Sequence, residues 1–140
     1  MIYNMSKFNK ESSIHSLSLA YSLMVHEITK PGKDILESLT PEKCNLLHMA
    51  VGISGEAGEL LDAIKKHIIY NKPLDITNVI EELGDIEFYL EGLRQALTIA
   101  RAEALSANMN KLYFSDTARY REGTYSDLQA QQRIDKNGSN

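Results

Sequence analysis

At 140 residues, 43% hydrophobic and 24% charged, the chain has the size and make-up of one folded domain, and its net charge of −4 argues against a protein that coats duplex DNA or another polyanionic polymer. That charge leaves a small phosphorylated ligand open, because acidic groups hold cations and cations hold phosphates. Its one cysteine, Cys44, can neither close an internal disulfide nor build a thiolate-clustered zinc site. The chain has no run of about 18 apolar residues, and its opening MIYNMSKFNKESS lacks the apolar stretch of a secretory signal, so a cytoplasmic protein off the membrane is expected.

In chain order, Leu17, Tyr21, Met24 and Ile28 fall at helical spacing and predict a helix over about 13–29, ended by Pro31 and Gly32. Residues 33–39 read either as a loop or as a single turn. A second helix opens on Thr40 as N-cap, with Pro41 in the first helical position and Glu42 facing the positive end of the helix dipole. It runs to about Ile69 and stops at Asn71-Lys72-Pro73. A third spans about Thr77 to Leu97, and a fourth runs from Thr98 or Ala100 to Leu112. Only Tyr120 to Tyr125 alternates in the manner of a strand, and Gly123 breaks it. The expectation is an all-α bundle of about four helices, completed by oligomerisation. One domain covers 1–125, with its motif-bearing core at 41–125, and a polar C-terminal tail, 126–140, is read as a mobile or partner-dependent arm.

The chemistry concentrates on the second and third helices. Ile53, Ala57, Leu60, Leu61, Ile64 and Ile68 form the apolar stripe of the second, and Glu56 and Glu59, three apart, share one flank of it. Gly52 precedes them in that column, and Ala63 and Lys66 follow. Glu82 and Asp85 repeat the device on the third helix, in a column with Asn78, Tyr89 and Gly92. If the two helices form an antiparallel hairpin, both acidic pairs face one cleft, and like charges gathered there need protons or cations among them. Oxygen ligands select hard ions such as Mg²⁺, which Mn²⁺ can replace. Either pair alone reads more simply as a solvated helix face; two pairs on successive helices, beside Gly52, Gly55 and Gly58, favour a site. Glycines inside a helix cost stability and suggest close backbone approach.

Glu56-Ala57-Gly58-Glu59-Leu60, followed on the next helix by Glu82-Leu83-Gly84-Asp85, resembles the ExxE…ExxD signature of the MazG-like all-α nucleoside triphosphate pyrophosphohydrolases of bacteria and phages. Asn108, Lys111-Leu112, Arg119-Tyr120, Gly123 and Tyr125 resemble the family's N..KL…RY..G.F block, with tyrosine for the last phenylalanine. Leu46 to Gly52 is also similar, so the likeness spans about Leu46 to Tyr125. The resemblance implies Mg²⁺-dependent hydrolysis of a nucleoside triphosphate to the monophosphate and pyrophosphate, in a homodimer or homotetramer. It implies Glu56, Glu59, Glu82 and Asp85 as metal ligands and catalytic acids, and Asn108, Lys111 and Arg119 as triphosphate ligands. Lys66, in the acidic column, is a further phosphate candidate, and Tyr89 a candidate for stacking on the base, although an aromatic at helical spacing is more often core. The likeness to phage members points to dGTP or GTP, while no residue here reads the base.

Some relatives carry an acid just before the first motif glutamate; here Gly55 stands there, leaving Glu81, Asp62 or a metal-bound hydroxide to activate water. Two rival readings are a phosphoribosyl-ATP pyrophosphohydrolase, which would use the same four acids, and a non-catalytic helical interaction protein. No Glu-x-x-His pattern surrounds His15, His26 or His67, which argues against a di-iron bundle.

Overall fold

The computed structural model describes residues 14–120 and 123–136. The opening segment, part of the Tyr120 to Tyr125 stretch and the last four residues lie outside the described residues. Among those described there is no strand, and no helix is long and apolar enough to cross a membrane. The chain divides into two units, Met1–Thr40 and Pro41–Asn140. In the first, α1 spans Ile14–Ile28 and α2 spans Gly32–Ser38, so the ambiguous 33–39 stretch is a short helix. Pro31, in extended backbone, precedes it and Asp34 lies in its first turn, where a carboxylate meets the unsatisfied amide ends.

The second unit is built on a hairpin of α3, Pro41–Ile68, and α4, Ile76–Leu97. Asp75 starts α4 by accepting a hydrogen bond from the Asn78 amide at 3.1 Å. Thr98, in left-handed backbone at φ 56°, ends it, which supplies the break that helical periodicity alone leaves open. The antiparallel register is read directly from contacts. Gly92 meets Met49, Gly52 meets Tyr89, and Glu82 faces Glu59, so partners advance along α3 as they retreat along α4 without a slip.

The seam runs through Met49, Gly52, Glu56, Leu60 and Ala63 on α3, and Val79, Glu82, Ile86, Tyr89 and Leu93 on α4. Met49, Ala63 and Glu82 are its buried residues. The expected stripe is therefore rotated: Ile53, Leu60 and Ile64 stay partly covered, whereas Leu61 and Ile68 are 66% and 72% exposed. They join Leu47 and Val51 in a second apolar stripe facing away from α4, so α3 is apolar on two faces.

The expectation of close approach at three glycines of α3 holds at one. A Cβ on Gly52 would overlap the Tyr89 ring, while nothing lies near Gly55 or Gly58 among the described residues. Gly92 provides the second close approach, against Met49. At Gly84, also open, alanine is expected to stabilise the fold by roughly 0.5–1 kcal/mol through helix propensity, measured by urea unfolding.

α5, Arg101–Met109, passes without a break into a π-helical turn, Asn110–Phe114. Beyond it the chain folds back, and the amides of Arg119 and Tyr120 donate to the carbonyls of Lys111 and Leu112, each at 3.0 Å. The polar segment read as a tail forms α6, Asp127–Gln132, capped by the Ser126 hydroxyl, and then a 3₁₀ turn, Ile134–Lys136.

Candidate metal centre

Glu56, Glu59 and Glu82 each bring a carboxylate oxygen within 4.8 Å of the others. Helical spacing on α3 sets the first two side by side, and the hairpin register brings the third across. Their settings differ: Glu82 is 7% exposed, Glu56 half-buried and Glu59 exposed. The group therefore opens to solvent on one side and is walled by the seam on the other. Burial raises the Glu82 pKa above its ordinary 4.5, followed by the charge of Glu59, a hydrogen bond with Glu56, and the charges of Glu56 and Asp85. Asp85, exposed and one turn beyond Glu82, is outside the convergent set but still within its electrostatic reach. Three carboxylates, one buried where its charge is disfavoured, fit a hard divalent cation, which would favour the ionised form and take only oxygen ligands.

The remaining expected residues divide by what already engages them. Lys66 lies 2.8 Å from Asp62, which also pairs with Lys65 at 3.1 Å. The hydrogen bond from Lys66, then that from Lys65, holds the Asp62 carboxyl below the usual range, which makes Asp62 a weak base. Glu81 is exposed and Gly55 faces open space. Tyr89 is in the seam, edge-on to Phe88 with centroids 5.2 Å apart and to His48 at 6.0 Å, and its ring covers Gly52. Here it is a packing residue of the hairpin. Asn108 and Lys111 are exposed, on α5 and the π turn.

Arg119 is held in a two-pronged pair, its Nε and Nη2 donating to the Asp135 carboxylate at 3.0 and 2.8 Å. Asp135 is 1% exposed at its side chain, and the Arg119 hydrogen bond lowers its pKa to about 2. A carboxyl depressed in this way stabilises the fold above its ordinary value of 3.8 and loses that contribution as pH falls toward about 2. Asp135 and Gly92 are the residues whose roles the motifs do not announce. For Gly92 the signal was its place in the Glu82 column. For Asp135 the only local hint was Ser126 before Asp127, a helix start inside an apparently featureless tail.

No curated protein and no solved structure matched the chain. The model of the MazG nucleotide pyrophosphohydrolase domain matches residues 45–117, a span that contains the whole α3–α4 hairpin seam, the three convergent carboxylates, Asp85, Asn108 and Lys111. On that match, over more than half its length, the chain belongs to the MazG nucleotide pyrophosphohydrolase family.

Proposed function

We propose that this protein hydrolyses nucleoside triphosphates between the α- and β-phosphates, releasing the nucleoside monophosphate and pyrophosphate, with Mg²⁺ as its ion and Mn²⁺ as a substitute. The observation that carries the reading is the convergence of Glu56, Glu59 and Glu82 around one buried carboxylate. Those three, with Asp85 completing the set from the next turn, would hold the cation, and the cation would neutralise phosphate charge and acidify an attacking water. Asn108 and Lys111, exposed on α5 and the π turn, are the proposed donors to the triphosphate. Lys66 and Arg119 add positive charge, each already shared with a carboxylate. Tyr89, expected as a stacking residue, is assigned instead to setting the α3–α4 distance. Guanine nucleotides, a small substrate rather than a polymer, and a cytoplasmic setting complete the proposal.

A second copy of the chain is the proposed cover for the outer stripe of α3, Leu47, Val51, Leu61 and Ile68, whose exposure leaves a helix apolar on two sides. Leu61→Lys is expected to convert a homodimer or homotetramer to monomer in size-exclusion chromatography with light scattering. A monomeric wild type would remove this part of the reading.

The activity is tested with a panel of NTPs and dNTPs plus phosphoribosyl-ATP in Mg²⁺, resolving pyrophosphate from orthophosphate. Pyrophosphate is expected as the product, with dGTP and GTP turned over fastest. Glu59→Gln and Asp85→Asn are each expected to lower kcat by about a hundredfold or more with helical content unchanged. Orthophosphate as the product, or full turnover in both variants, contradicts the assignment.

A further inference from the structure

The cation proposed here to meet the phosphates, Lys111, sits on a π-helical turn, a geometry weaker than an α-helix and frequent at functional sites. A helix end leaves its last carbonyls without partners inside the helix. In this chain the Lys111 carbonyl accepts from the Arg119 amide and the Leu112 carbonyl from the Tyr120 amide, so the backbone at 119–120 ties down the turn. Ala118, at the bend leading into that backbone, is 0% exposed, and Ser115, Arg119 and Tyr120 are partly covered.

The side chain of the same Arg119 is gripped by Asp135, far along the sequence on the 3₁₀ turn after α6. Both carboxylate oxygens are used, and Arg133 adds a second cation with its Nε 3.7 Å from the same carboxylate. Arg119 thus has two attachments, one by backbone to Lys111 and one by side chain to Asp135. A planar, two-pronged pair fixes orientation as well as distance, unlike a lysine's point charge.

We infer that Asp135 is a positioning residue for substrate binding: it fixes Arg119, and through the Arg119 backbone it fixes the π turn that presents Lys111. This rests on Lys111 contacting the triphosphate, and it accounts for a buried carboxylate within the polar C-terminal segment. It also gives α6 and the 3₁₀ turn a task at the site despite their lying beyond the family match, which ends at residue 117.

The test is the equilibrium binding of a non-hydrolysable α,β-imido nucleoside triphosphate in Mg²⁺ to the full chain and to Asp135→Asn, Lys111→Ala and the double variant. Asp135→Asn preserves shape and removes the charge, and is expected to weaken Kd by about tenfold. Lys111→Ala is expected to weaken it at least as much, and the double variant to match Lys111→Ala alone, because two residues acting on one contact are not additive. Arg119→Lys, which keeps the charge and loses the two-pronged grip, is the companion should Asp135→Asn fail to fold; it is expected to weaken binding several-fold, again without adding to Lys111→Ala. Losses that multiply in the double variant, or an unchanged Kd in Asp135→Asn while Lys111→Ala binds weakly, overturn the inference and leave the proposed activity standing. An unchanged Kd in Lys111→Ala overturns both the inference and the phosphate role of Lys111.

Discussion

Glu82→Gln is expected to abolish pyrophosphate release, by about a hundredfold or more, while making the cation-free protein more resistant to heat near neutral pH. The two effects have one cause. Glu82 is buried in the α3–α4 seam beside Glu56 and Glu59, and its pKa in the folded state is raised above the ordinary 4.5 by burial first and by neighbouring carboxylates next. Between the unfolded value and the raised folded value the native state binds more protons than the unfolded state, so stability falls as pH climbs through that window. As pH rises through that window, the cation-free fold takes on the disadvantage of an ionised Glu82. Glutamine removes the charge, keeps a partner for Glu56, and takes away the most buried of the three proposed metal ligands. The check is a thermal melt from pH 4 to 8, with and without Mg²⁺. Wild type should gain stability on adding Mg²⁺ and on mild acidification, and Glu82→Gln should show less of both. A variant that melts lower than wild type throughout, or that retains turnover, contradicts this role.

Gly52→Ala is expected to destabilise the fold by roughly 1–2 kcal/mol, the cost of overpacking less the helix propensity that alanine adds. The methyl would fall on three atoms of the Tyr89 ring, a rigid body braced edge-on by Phe88 and His48. Either the ring leaves the seam or the helices part, and parting them would also move Glu82 from Glu59. Activity should therefore fall together with stability. Gly92→Ala makes the control: its added methyl meets the flexible side chain of Met49, which can turn aside, so the loss should be smaller. Urea unfolding of the two variants measures the difference, and equal losses would mean that ring rigidity does not set the helix spacing.

The acidic constellation was legible because a period of 3.6 residues forces Glu56 and Glu59 onto one side of α3 and Glu82 and Asp85 onto one side of α4, and the short link from α3 to α4 favours a hairpin. How the faces were used was less legible. Helix α3 is apolar on two sides, and periodicity cannot say which of them meets α4. The acids were expected on the flank of the seam, and Glu56 and Glu82 lie in it. Rotating the stripe also changes Tyr89, from a base-stacking candidate to the packing partner of Gly52. The glycines divide for the same reason, since Gly52 faces the hairpin partner while Gly55 and Gly58 do not.

The region after Leu112 resisted reading because its order comes from contacts distant in sequence. A single Asp135 near the end of a polar stretch carries no periodic signal, yet its pairing with Arg119 gives that stretch a fixed place. The short helix at Gly32–Ser38 was ambiguous because seven residues hold too few turns for a pattern to emerge.

Calorimetric titration of Mn²⁺ and Mg²⁺ into cation-free protein tests most directly whether the three glutamates share an ion. The account predicts saturable, stoichiometric binding that weakens on acidification, because protons and the cation compete for Glu82, and that disappears in Glu82→Gln. Weak binding that never saturates and is unchanged by Glu82→Gln would instead show three carboxylates that meet without holding a metal.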